Sequence, residues 1–117
     1  MEVFRYKKKE DERIDREFEN ASRYGKVALG KDLVFWKKGL RWMYADMNKI
    51  ERAFRRIEAV DTKMCCGHVN FDIQKLVLIP RDGGELELLI GEGIPREAEA
   101  LYEELRGQGR DILFGKA

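Results

Sequence analysis

Apolar residues recur at two different periods along this chain, and the change of period falls near Gly25. Between residues 5 and 21, Ile14, Phe18 and Ala21 stand at i, i+4 and i+7 among interleaved acids and bases, which predicts a charged helix with a thin apolar stripe. Such a helix frays unless it lies on a surface, and Phe18 with a neighbour or two is its expected anchor. From Gly25 onward short apolar runs alternate with turn residues. Lys26–Gly30 and Leu33–Lys37 flank Gly30-Lys31-Asp32 and predict a hairpin. After a second turn at Lys38-Gly39, Leu40, Trp42 and Tyr44 alternate with Arg41 and Met43, the period of a half-buried strand. Val69, Phe71 and Ile73 alternate in the same way and run into Leu76–Ile79. Pro80-Arg81-Asp82-Gly83-Gly84-Glu85 then supplies the positive-φ residues of a tight turn, and Leu86–Ile90 returns as the partner strand.

Two stretches carry the helical period in this second part. In the first, Met47–Val60, Ile50, Ala53, Phe54 and Ile57 fall at i, i+3, i+4 and i+7 behind Asp46, a suitable cap. Periodicity alone favours a helix there; a strand would set Arg52, Phe54 and Arg56 along one side. In the second, Pro95 suits a first helical position, Glu97 and Glu99 complement the positive end of the helix, and Ala98, Leu101, Tyr102 and Leu105 form one stripe before Arg106-Gly107. Ile112–Phe114 is a short apolar tail that either lies back on the body or offers a contact for self-association.

Hairpins, a second group of strands and one amphipathic C-terminal helix follow one another in the order of the pleckstrin-homology-like (PH-like) superfamily, which the chain resembles over about residues 24–107. The segment Gly25–Trp36 looks like the opening hairpin of GRAM-type and bacterial PH-like domains, and Leu40–Ile50 is similar to the element that follows it. Cys65-Cys66-Gly67 resembles a run found in small uncharacterised bacterial proteins of clostridial type. The resemblance implies a mainly β, α+β fold. Its core is a PH-like β-roll or barrel of six to seven antiparallel strands, capped by the Pro95–Arg106 helix and accompanied by an N-terminal helix. It also turns the reading of Ile50–Ala59 to strand. The organisation expected is a charged helical extension at 1–23, the PH-like domain at 24–107 and a tail at 108–117.

Composition narrows the setting. The chain has 117 residues, enough for one domain with a real core, and 44% hydrophobic residues argue against disorder. The net charge of +1 gives no reason to expect nucleic acid. Residues 21–64 nevertheless hold eleven Lys/Arg against five Asp/Glu, whereas residues 65–117 hold six against ten. The first ten residues contain no apolar stretch, so no secretory leader is expected, and no run approaches the ~18 apolar residues of a membrane span. Two adjacent cysteines cannot staple a loop, and a reducing, cytoplasmic home follows as the expectation.

Three groups of residues are candidates for chemistry. Lys37, Lys38 and Arg41, followed by Lys49, Arg52, Arg55 and Arg56, form the basic run that would hold an acidic partner or an anionic lipid surface; solvated strand edges, where Lys and Arg discourage edge pairing, are the favoured account. In the PH-like resemblance, basic residues around the first hairpin hold inositol phosphates. Here that turn is only Gly30-Lys31-Asp32 and carries an acid. Cys65, Cys66 and His68 are weak candidates for a metal, because zinc asks for four convergent ligands and no second pair exists; small apolar packing residues are the simpler account. Trp36, Trp42 and Tyr44 suit a stacking surface or the inner face of a sheet, and alternation favours the latter. The sole serine, Ser22, lies far from the sole histidine, so no nucleophilic triad is expected. Glu103 and Glu104 read as exposed solubilising charges. No enzyme and no cofactor are expected. The expected function is a binding module for a protein or peptide, with anionic membrane as the alternative ligand.

Overall fold

A computed structural model describes residues 3–64 and 67–115, with the side chains of residues 60–71 left aside. The order of elements is β1 (Phe4–Arg5), α1 (Glu12–Asn20), β2 (Ser22–Tyr24), β3 (Val27–Leu29), β4 (Leu33–Lys38), β5 (Arg41–Asp46), a 3-10 turn (Met47–Lys49), β6 (Ile50–Met64), β7 (Gly67–Pro80), β8 (Leu86–Glu92), α2 (Pro95–Gly107) and β9 (Leu113–Phe114). The strands form two sheets, one of five in the order β1-β5-β4-β3-β2 and one of four in the order β8-β7-β6-β9. The fold is therefore mainly β with two helices, and the sheets do not close into a barrel.

Side-chain alternation in the five-stranded sheet assigns each face. Val27, Leu29, Val34, Trp36 and Ala45 face inward and join Leu76, Leu78, Leu88 and Ile90 of the second sheet in one core. Ala28, Leu33 and Phe35 face outward and pack with Tyr6, Ile14, Phe18, Trp42 and Tyr44. β3 and β4 are thus buried on both faces, and this explains their unbroken apolar runs. Trp42 and Tyr44, expected inward, lie on the outer face. The inward positions of β5 go instead to Met43 and Ala45, which pair in register with Trp36 and Val34. Leu40 is 97% exposed at the β4–β5 turn, outside the alternation it seemed to begin.

The N-terminal helix starts later than its charge pattern suggests. Phe4 pairs with Tyr44 and Arg5 with Met43, and the Tyr6 amide donates to the Trp42 carbonyl at 2.8 Å, so this stretch is bound to a sheet edge before the helix begins. Asp11 then caps α1 by accepting from the Arg13 amide at 2.9 Å. The C-terminal tail is likewise tied to the body: β9 runs parallel to β6 at Arg52 and Ala53, and Ile112 is buried in the main core.

Residues 50–64 form a strand, as the resemblance implied and the bare period did not. Asp46 does cap a helical turn, accepting from the Asn48 amide at 2.8 Å, but the turn is a single 3-10 turn. Beyond it the backbone pairs with β7 from Ile50 opposite Pro80 to Met64 opposite Gly67. The ladder leaves the sheet behind after Ile73, which is the last β7 residue opposite β8. α2 lies across the inner side with Ala98, Leu101 and Leu105 buried. Among the described residues, no helix is long and apolar enough to cross a membrane.

Candidate functional site

The strands bring part of the basic run to the mouth of a groove at the open side of the sandwich. The groove, about 380 Å³, lies between the β4–β5 end of one sheet and the edge strand β8 of the other. Its apolar wall is Trp36, Met43, Leu86 and Leu89, with Val3 beside them; Lys26, Lys37 and Lys38 stand around it with Glu87. Trp36 is only 6% exposed, so it forms a rigid floor rather than a free ring. The three lysines form no ion pair with a described residue. One wall is fixed to the other by a close junction: the Lys26 amide donates to the Ile90 carbonyl at 2.8 Å. Gly25 makes that approach feasible, since its φ is +60° and a Cβ there would sit 2.2 Å from the Ile90 oxygen.

The rest of the basic run does not converge on this groove. Arg41 is exposed opposite Lys38 in the β4–β5 ladder. Lys49 is exposed at the end of the 3-10 turn, where its carbonyl accepts from the Arg81 amide. Arg52 donates to the Gly115 carbonyl at 2.8 Å and so holds β9 in place. Arg56 is engaged on the outer face of the four-stranded sheet, paired with Glu87 and with Glu85 at 2.8 Å. Lys75 stands in the same network, 3.1 Å from Glu58 and 3.2 Å from Glu87. The hydrogen bonds that Lys75 donates to those two carboxylates raise its pKa above the ordinary value. Arg55 is on the opposite face of β6 from Arg56 and donates to Gln74 at 3.2 Å.

Glu103 and Glu104 differ in role despite their adjacency. Glu103 is exposed and 3.6 Å from Arg106, whereas Glu104 is half-buried and accepts from the Ser22 hydroxyl at 2.8 Å. The serine considered for chemistry thus joins β2 to α2. Arg110, which carried no signal in the sequence, reaches the Lys31 carbonyl, Asn48 at 2.7 Å and Asp32 at 3.3 Å, locking the region after α2 to two turns. Cys65, Cys66 and His68 lie outside the residues whose side chains are described. Among the described residues, no three His, Cys, Asp or Glu side chains cluster in a way that would hold a metal ion.

The groove residues Met43, Leu86 and Leu89 were not singled out by sequence reasoning. Met43 comes from β5 and the two leucines from β8, strands far apart in the chain that only the packing of the two sheets makes neighbours. Comparisons with protein-family models, curated proteins and solved structures found no match to this chain.

Proposed function

We propose that the protein is a non-enzymatic binding module of PH-like plan that takes a short peptide segment, apolar and acidic in character, into the groove between β4–β5 and β8. The plan is supported by the order of the elements: a four-stranded antiparallel meander, β2 to β5, then a three-stranded one, β6 to β8, then α2. β1 and β9 are additions at the sheet edges. The observation that carries the ligand class is the pairing of a fixed apolar wall with three lysines that lack an ionic partner among the described residues. An apolar side chain on the peptide gains by covering Leu86, Leu89 and the edge of Trp36, and a neighbouring carboxylate answers the lysines. β8 is an edge strand, so an extended segment can also add its backbone there.

Anionic membrane is the weaker reading. Arg52 and Arg56 are engaged within the fold, and Arg55 lies on the opposite face of the strand from Arg56, so among the described residues these arginines do not gather with Lys37 and Lys38.

Selection from a displayed library of random twelve-residue peptides tests the reading. Enriched peptides are expected to place Asp or Glu beside a large apolar residue. The double variant Lys37→Glu, Lys38→Glu should weaken their binding at least about tenfold, with affinity falling as salt rises. Peptides that bind this variant equally well, or no enrichment at all, overturn the proposal. Co-sedimentation with phosphatidylserine vesicles that the double variant abolishes would instead favour the membrane.

A further inference from the structure

A second feature lies apart from the groove, at the open edge of β6 just past the point where β9 ends. Arg55 shares the face of β6 that carries the fully buried Ala53, and its Nη2 donates to Gln74, a side chain only 2% exposed. The Nε of Arg55 is buried and has no hydrogen-bond partner. Nor does Arg55 take part in an ion pair with a described residue, whereas Arg56 beside it has two. Burying the Nε–H of a guanidinium without an acceptor is unfavourable, and this orphaned N–H calls for a partner that no described residue supplies. Around this group is an open pocket of about 430 Å³, lined by Phe54, Ile57, Tyr102 and Gly115 with the two arginines. Ile57 is 55% exposed there, an apolar side chain left beside a cation.

We infer that this pocket is a binding site for a carboxylate borne on a small aliphatic body, held by Arg55 and covered by Ile57 and Tyr102. Turned toward the pocket, the guanidinium would present Nε–H and a further N–H side by side, the spacing of the two oxygens of one carboxylate. A single negative charge matches Arg55, the one cation among the lining residues that has no ion pair with a described residue. The aliphatic part of the ligand covers Ile57 and the ring of Tyr102, which is itself held toward β6 by its contact with the Ala53 carbonyl at 3.5 Å. The site is independent of the peptide groove and stands if that reading fails.

Nuclear magnetic resonance titration of the full chain tests the inference with three probes: N-acetyl-leucine, N-acetyl-leucinamide and inorganic phosphate. The expected result is a saturable shift of the Arg55 Nε–H and Ile57 methyl signals with N-acetyl-leucine and none with the amide. Arg55→Lys, which keeps the charge and loses the fork, should weaken that binding at least about tenfold. Ile57→Glu should do the same by placing a like charge at the rim, and because Ile57 is exposed it keeps the test valid if Arg55→Lys disturbs the fold. Equal shifts with the amide, tighter binding of phosphate, or no saturable shift of the Arg55 signal would each overturn the assignment.

Discussion

The two helices are seated on the body of the molecule by different chemistry. α2 buries Ala98, Leu101 and Leu105 in the common aliphatic core, where both sheets surround them. α1 has no fully buried residue and rests on the outer face of the five-stranded sheet through rings. Phe18 is 4.9 Å from Phe35 and 5.2 Å from Trp42, centroid to centroid, with Tyr6 at 4.5 Å and the Arg23 guanidinium 5.0 Å away. Polar anchors supply what apolar area does not. Glu17 accepts from the Asp32 and Leu33 amides of the β3–β4 turn, and Asp15 accepts from the Tyr6 hydroxyl at 2.6 Å and the Lys9 amide at 3.0 Å. An aliphatic stripe closed within a core makes a helix part of the global folding unit. A ring cluster with a few directed hydrogen bonds makes a helix that is able to leave while the rest persists.

That contrast can be broken or sharpened by substitution. Leu101→Ala has the largest expected effect, a loss of about 3 kcal/mol in denaturant unfolding, because it leaves a cavity where both sheets and α2 meet. All probes of structure should lose stability together. Phe18→Ala should cost roughly 2 kcal/mol, less than a fully buried ring because Phe18 is half-buried. Hydrogen exchange should then show α1 amides approaching free rates while those of β7 stay protected; uniform loss across both helices would refute the distinction. Tyr6→Phe is the mildest change, under about 1 kcal/mol at neutral pH, and its value lies in its pH dependence. Burial, together with the hydrogen bond to Asp15, pushes the Tyr6 hydroxyl up to about 12. The unfolded chain ionises near pH 10, so the stabilisation is complete below pH 10 and is lost as pH rises toward about 12. Alkaline titration followed by circular dichroism should show this drop in the native protein and a smaller one in Tyr6→Phe.

The sequence foretold α2 nearly to the residue because its stripe, its Pro95 start and its Arg106-Gly107 end all agree on one element. The β3–β4 and β7–β8 hairpins were legible for the same reason, since turn residues and apolar runs coincide. β6 was not legible from its own residues. Ile50, Ala53 and Phe54 satisfy a helical period, yet Ala53 needs the strand register to sit against Leu78, and that neighbour comes from β7. The faces of β5 were misjudged because both of its sides are covered, one by the core and the other by α1, so large residues mark neither as inner. Of the basic run, Lys37 and Lys38 reached the groove, while the arginines of β6 went to faces and partners that only the sheet determines.

The junction between Lys26 and Ile90 has a consequence for the groove beside it. Lys26 both lines the groove and donates the amide that ties the start of β3 to β8, so the two walls are clasped together at a lining residue. Gly25 gives that clasp its reach, and a methyl group added there would prise the jaws apart without altering any side chain that a ligand meets. Under the proposed peptide-binding role, selectivity for the girth of an incoming segment would be set at a position that contributes no contact of its own.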